Sequence, residues 1–332
     1  MLIPMSTDQR RHLDAFERAW PRYAALLRGR ADLAGGMHWK PAAGAEYLTR
    51  YWSDPATGKK VGKSLGRRSP ETEALHREYF KRRAAAERDE SELEPKVRTA
   101  GMFARALRLT RLPARHAEGL RNLHESGLLD EGRALALGTP AVLLYEAKAR
   151  VVAPPGALKG EDDLAFLLPG DGGVSWDEGM DFAIAFGGRK ARVGTTRAGE
   201  YGRTMSVDGM TIALASRAGL VEAAREGEAS TRFLEALDEA LRAPSVEGFA
   251  FAKDATLAPV RAPDPRAFCL MAPLFAADDR DRLEAAWERV DAVDEMTRRG
   301  FEPSKAGAGM TNALAELREI AGPGRLSAPP RL

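Results

Sequence analysis

The spacing of apolar residues divides the chain into helices and strands. Leu13, Phe16, Trp20, Tyr23, Leu26 and Leu27 recur every three or four residues among Arg and Asp. That period predicts a helix over 7–30, with Pro21 as a candidate kink. Gly35-Gly36 ends it. Residues 37–40, 46–52 and 60–65 predict three short strands, separated by the turn chemistry of Pro41 to Gly44 and Asp54 to Gly58. Ser69-Pro70-Glu71 reads as a helix start: a capping hydroxyl, a proline suited to the first turn, and carboxylates that complement the dipole. This helix is expected to reach Glu94 and stop at Pro95. Two shorter helices follow within 97–127, split near Pro113.

The second half alternates shorter elements. Leu135 to Leu137 predicts a buried strand, Gly138-Thr139 opens a helix to Lys148, and Asp163 to Leu168 predicts another strand. Further strands are expected at Phe182–Phe186, Arg189–Val193, Arg203–Val207 and Met210–Ala215. Phe233, Leu234, Leu237 and Leu241 mark an amphipathic helix over 230–242. Gly248–Lys253 and Leu257–Arg261 read as a hairpin, and helices are expected at 265–275, 279–299 and 307–320. The mixture predicts an α/β fold in five segments: an N-terminal helix (1–35), a small basic β-module (36–68), a helical connector (69–130), a core (131–262) and a helical C-terminal tail (263–332). No internal repeat is visible.

Composition narrows the class. Of 332 residues, 44% are apolar and 30% charged, as in ordinary globular proteins. Cys269 is alone, which excludes an intramolecular disulfide and a Cys-based zinc site, and leads us to expect a reducing, cytoplasmic setting. The longest apolar stretch, Ala134 to Tyr145, is interrupted at Gly138-Thr139-Pro140 and is shorter than the roughly 20 residues of a membrane span. The opening MLIPMSTDQRR lacks the apolar run of a secretory signal, so none is expected. Charge is unevenly divided: residues 1–115 carry 24 Lys/Arg against 14 Asp/Glu, and the rest carry 26 against 34. A basic front suits a polyanion, RNA or DNA, with Lys40, Arg50, Lys60 and Lys63 as candidate contacts. Docking of the basic half on the acidic half fits the same numbers. Trp39, Tyr47 and Trp52 either offer stacking surface or bury the small sheet against its neighbours.

Several motifs are excluded by spacing. Gly58 to Ser64 has three residues between its glycines where a P-loop has four. None of the five histidines pairs with another at the helical spacing of a zinc site; His116 and His124, eight apart, are expected to be solvated or capping. There is no Gly-x-Ser-x-Gly elbow, and Cys269 within Phe268-Cys269-Leu270-Met271 reads as core. One constellation suggests chemistry. Gly138-Thr139 closes a strand and opens a helix, which is a phosphate cradle. Glu161-Asp162-Asp163 leads into the next strand, where carboxylates at alternate positions share one face and can bind divalent metal. An acidic turn before a buried strand is also a common structural feature.

Across most of its length the chain resembles the bacterial nucleotidyltransferase-fold family with a nucleotidyl transferase type 8 domain. The resemblance is carried by Gly36-Met37-His38-Trp39-Lys40, Glu46-Tyr47-Leu48, Lys63 to Glu73, Gly138-Thr139-Pro140-Ala141, Tyr145-Glu146-Ala147 and Pro263 to Phe268. It implies that residues 131–262 form a nucleotidyltransferase-like mixed sheet with helices, and that the activity is nucleotidyl transfer from an NTP with Mg²⁺. Gly138 and Thr139 then take the phosphate-binding positions and Asp163 the first catalytic and metal-binding carboxylate, with Glu161 as a further metal candidate. The chain departs from the family pattern at three places. Ala165 stands at the second carboxylate position, Ala213 at the third, and Met271-Ala272 where a His-Lys pair is usual. The resemblance therefore leaves two expectations: a transferase with a reduced metal site, or a non-catalytic member that binds nucleotide, nucleic acid or a partner protein.

Overall fold

In the computed structural model the chain is described at all residues except 43, 54–58, 130–132, 159–162, 169–173, 189–191, 199–201, 227–228, 277–279, 301–311 and 319–332. It is a mixed α/β protein. The first half comprises β1 (Ile3–Pro4), α1 (Thr7–Leu33), β2 (Gly36–Ala42), β3 (Ala45–Ser53), β4 (Lys60–Arg67), α2 (Pro70–Ala106), β5 (Thr110–Leu112) and α3 (Ala114–Glu125). The second comprises β6 (Leu135–Leu137), α4 (Thr139–Ala149), β7 (Val151–Val152), β8 (Asp163–Leu168), α5 (Trp176–Gly187), β9 (Val193–Ala198), β10 (Gly202–Val207), β11 (Met210–Ser216), α6 (Arg217–Glu226), α7 (Thr231–Arg242), β12 (Val246–Ala252), β13 (Leu257–Ala262), α8 (Pro265–Ala276) and α9 (Arg280–Gly300).

The central sheet is five-stranded, ordered β6-β8-β11-β10-β9. Only β8 and β11 run parallel; the other neighbours are antiparallel. Phe166 on β8 is fully buried beneath α5, its ring 4.8 Å from Phe182 and 6.2 Å from Phe186. A Cβ on Gly119 would collide with the Phe186 ring, so the glycine lets α3 close on α5. The second sheet is β13-β12-β5, with β12 antiparallel to β13 and parallel to β5. α1 lays its apolar stripe on that sheet, Phe16 stacking edge-on against Phe249 at 4.9 Å. Aromatic contacts of this kind contribute about 0.5–1.5 kcal/mol beyond the area they bury.

α1 and α2 form an antiparallel hairpin with the β2-β3-β4 sheet at its tip. Arg22 donates to Glu92 at 3.0 Å and Arg30 to Glu90 at 2.6 Å, and the Tyr79 hydroxyl donates to the Leu33 carbonyl at 3.1 Å. The exposed ion pairs are screened by water and contribute little. The larger contribution is the apolar seam that joins Leu26 and Leu27 to Leu93 and Ala104.

Four element assignments differ from the sequence reading. α2 does not stop at Pro95 but continues to Ala106. Ser91 and Pro95 are both exposed, so the carbonyl that loses its donor faces water, and burial of Leu93 and Ala104 offsets the proline penalty of about 3 kcal/mol. Thr110 to Leu112, expected within a helix, is a strand, because β12 supplies its hydrogen-bonding partner. Phe182 to Phe186 is helical. Ser175 caps α5, accepting from the Glu178 amide at 3.2 Å while Glu178 accepts from the Ser175 amide at 2.9 Å. That capping box is a helix signal the apolar run of Phe182 to Phe186 obscured. The strand expected at Arg189–Val193 begins only at Val193, and residues 189–191 lie outside the described set.

The C-terminal region is no appendage. Phe268, Cys269, Leu270 and Met271 of α8 are all buried in the main core, and α9 packs on both α8 and α4. Residues 312–318 form a further helix, and the rest of the predicted 307–320 helix lies outside the described residues. His116 and His124 are buried on α3 instead of solvated, the latter with Nε2 3.0 Å from the Ala24 carbonyl. Both face the α1 and sheet packing that surrounds α3.

Candidate functional site

The end of β6, the start of α4 and the β8–β11 pair meet at one place. β6 runs antiparallel to β8, with Leu137 opposite Ala165. The chain then turns at Gly138, whose φ of 72° lies in the region that favours glycine. α4 starts there with no side-chain cap, so its first amides are not claimed by a capping oxygen. The Thr139 hydroxyl is buried and has no hydrogen-bond partner among the described residues. An unsatisfied buried hydroxyl costs about 1–3 kcal/mol, a penalty natural cores rarely carry without a purpose.

Across the sheet the register sets a row. Leu137 is opposite Ala165, Ala165 opposite Ala213, and Ala213 opposite Thr204. Residues directly opposite on neighbouring strands share a face, so these four share one. The next row places Asp163 opposite Thr211 and Thr211 opposite Ser206. Thr204, Ser206, Thr211 and Ala165 are half-buried and Ala213 is 8% exposed. The opposite face, with Met205, Val207 and Ile212, is buried.

No family model, no curated protein and no solved structure matches the chain. The site is therefore judged on its own donors. Ala165 and Ala213 present methyl groups to this face, beside hydroxyls that bind divalent ions weakly. Among the described residues no cluster of His, Cys, Asp and Glu could hold a metal ion. Glu161 lies outside the described residues, and Asp163 is placed only by its register at the head of β8. The donors among the described residues do not by themselves make a site for two Mg²⁺ ions. Met271 is buried in the core and Ala272 is 9% exposed.

Behind the site lies a buried polar brace. Glu146 on α4 is 4% exposed; its Oε1 accepts from Arg111 Nη1 and from the Ala153 amide, each at 2.6 Å. Arg111 Nη2 donates to the Ala153 carbonyl at 3.0 Å. The brace ties α4 to β5 and to the segment after β7. Burial pushes the Glu146 carboxyl up to about 7, against the opposing pull of Arg111. A carboxyl raised in the folded state stabilises most below its unfolded pKa and loses that contribution as pH rises through the folded value. Between pH ~4.5 and ~7.5 this group is expected to remove about 3 kcal/mol of stability. Urea titrations across that range should show the loss in the native chain and its absence in Glu146→Gln.

A second anchor sits at the start of α8. Asp264 Oδ1 accepts from the Arg266 amide and Nε, both at 2.9 Å, and the buried Tyr145 hydroxyl donates to the Pro263 carbonyl at 2.8 Å. The Tyr145 and Pro263-Asp264-Pro265-Arg266 segments are thus in contact although 118 residues apart. A groove of about 470 Å³ between α1 and α2, lined by Phe16, Tyr23, Leu93, Val97 and Phe103, is remote from this site. Among the described residues no helix is long and apolar enough to cross a membrane.

The four basic residues expected to contact nucleic acid do not share a surface. Lys40 lies opposite Tyr47 and Lys60 opposite Ser53, on one face of the β2-β3-β4 sheet; Arg50 and Lys63, opposite each other, lie on the second face. Arg50 is also engaged, donating to the Asp32 carbonyl and standing 5.9 Å from the Trp52 ring. Strand alternation was available in the sequence to separate the two pairs.

Proposed function

We propose that the chain is a nucleotidyltransferase-fold protein whose core holds the triphosphate of an NTP at the Gly138-Thr139 start of α4, and whose metal-dependent transfer is lost or very slow. The observation that carries this reading is the register that aligns the end of β6, position 165 of β8 and position 213 of β11 beside that helix start. The start of α4, which has no side-chain cap, and the unpartnered Thr139 hydroxyl offer donors suited to phosphate. Gly138 and Thr139 are buried, so the cradle is closed without ligand and entry requires local opening. The alanines at 165 and 213 remove the charge that would hold two metals against the triphosphate, so binding without turnover follows from the same geometry.

The test uses opposite signs in one variant. Thr139→Val keeps the side-chain shape and removes an unsatisfied hydroxyl. It is expected to raise the stability of the free chain by about 1 kcal/mol and to weaken ATP binding about 10- to 100-fold, the worth of one hydrogen bond to a charged phosphate. Calorimetric titration with ATP and GTP reads the second effect, and urea unfolding the first. No binding of any NTP at about 1 mM would sink the proposal. Transfer of label from an NTP by the native chain, abolished by Asp163→Ala, would show the site to be catalytic.

A further inference from the structure

We propose that the outward face of the β2-β3-β4 sheet binds single-stranded nucleic acid, with bases stacking on Tyr51 and Tyr47 and phosphates pairing with Lys40, Lys60 and Arg67. This surface lies at the tip of the α1–α2 hairpin and is independent of the nucleotide site proposed for the core.

The two faces of the sheet have different fates. Trp39 and Leu48, opposite each other, turn inward: Leu48 is fully buried, and the Trp39 ring lies 5.7 Å from His76 of α2 and 5.0 Å from the Arg68 guanidinium. Alternation then sends His38, Lys40, Tyr47, Tyr51, Lys60 and Arg67 to the other side. Lys40, Lys60, Arg67 and His38 are exposed there. Across the three strands no acidic side chain shares that face, since Glu46 lies on the inner one and pairs with Arg68 at 2.5 Å. Among the described residues Lys40, Lys60 and Arg67 have no ion-pair partner. Lys40 and Arg67 flank Tyr47 at one end of the face and Lys60 lies opposite Ser53 at the other, so the unneutralised cations are spaced along the sheet as the phosphates of an extended strand would need.

The aromatic residues select the kind of polyanion. Tyr51 is opposite Gly36 on one side and Gly62 on the other. Its ring lies across Gly36, in space any side chain there would fill, and the residue stays 38% exposed. His38 stands beside it, ring centroids 5.2 Å apart. Gly36 thus lets the ring lie down against the sheet, and Gly62 on the other side places no side chain beside it. An accessible ring among cations is useful to unstacked bases, whose faces are free; a duplex presents only its edges and backbone.

The experiment is fluorescence anisotropy of the full chain with labelled oligouridine and oligothymidine of about twenty residues, and with a duplex of the same length. Expected is binding to the single strands that weakens about 20-fold when salt is raised from about 50 to about 200 mM, the slope for three neutralised phosphates. Tyr51→Ala should weaken it about 5- to 100-fold. Combined Lys40→Glu, Lys60→Glu and Arg67→Glu should abolish it, while Lys63→Glu, on the inner face, leaves it within about 2-fold. A difference between the uridine and thymidine strands assigns RNA or DNA. Absence of binding at low salt, tighter binding to the duplex, or an equal loss from Lys63→Glu would each overturn the proposal. Should the triple variant not fold by circular dichroism, photo-crosslinking of 4-thiouridine strands to the native chain decides instead. Adducts in the peptide 36–67 support the surface, and adducts confined to residues 131–262 refute it. Binding that survives excess ATP separates this surface from the core site.

Discussion

Aspartates installed together at positions 165 and 213 are expected to give the chain a divalent-metal site beyond any its described residues supply. The two positions are opposite each other on parallel neighbours, so the new carboxylates would stand about 4.8–5.5 Å apart. That separation suits ions about 4 Å apart bridged by shared carboxylates. Without metal the pair is a burden, because like charges directly opposite on a sheet repel and position 213 is nearly buried. The double variant Ala165→Asp/Ala213→Asp should therefore melt below the native chain in chelator and recover on adding Mn²⁺, while the melting of the native chain responds little. Electron paramagnetic titration of Mn²⁺ gives the affinity directly. If the core is nucleotidyltransferase-like, each restored carboxylate should raise label transfer from an NTP about 10²- to 10³-fold, with the two effects not additive. A variant that folds but gains no Mn²⁺ affinity would show that the row is not a relic of a metal centre.

Arg111→Met is expected to be strongly destabilising, by about 3–5 kcal/mol at pH ~9, where the Glu146 carboxyl of the native chain is ionised. It strands the Glu146 carboxyl in a site it shares with one amide, and it removes the Arg111 hydrogen bond to the Ala153 carbonyl. The loss should be smaller at pH ~5, where the carboxyl is protonated and has no charge left to desolvate. Adding Glu146→Gln should recover most of it, since the glutamine oxygen still accepts from the Ala153 amide with no buried charge. Urea unfolding of the native, single and double variants at two pH values reads all three statements. Equal losses at both pH values would mean that Arg111 acts through packing alone.

The legible parts of the fold are those with local causes. The α1 stripe, the Ser69-Pro70 helix start, the Gly138 turn and the β12–β13 hairpin each carry their own period or cap, and each stands where the sequence places it. Two errors came where tertiary partners override local preference. Pro95 is tolerated because α1 holds α2 before it, at Glu90 and Glu92, and after it, at the buried Ala104, and Thr110 to Leu112 is extended because β12, more than 130 residues away, offers an edge. At the site, the order of Gly138-Thr139, β8 and β11 was readable from sequence, but the one-to-one register of Ala165 with Ala213 was not. The brace of Arg111, Glu146 and Ala153 was missed for the same reason: it joins three segments with no common motif. The contact of Tyr145 with Pro263, 118 residues away, was likewise not readable from sequence.

α2 joins the tip sheet to the core through 37 residues of unbroken helix, about 55 Å at the usual rise. A helix measures angle as well as length. One residue inserted between Tyr79, which holds the tip, and Gly101, which nestles against the Ala255 carbonyl, would turn the sheet by about 100° about the helix axis. Its cationic face would then point in another direction relative to the core, with both sites locally intact. An insertion of seven residues, matched in α1, would nearly restore the phase, to within about 20°. The bearing between the two surfaces is thus written in the residue count of α2, and length changes there are tolerable in heptads before they are tolerable singly.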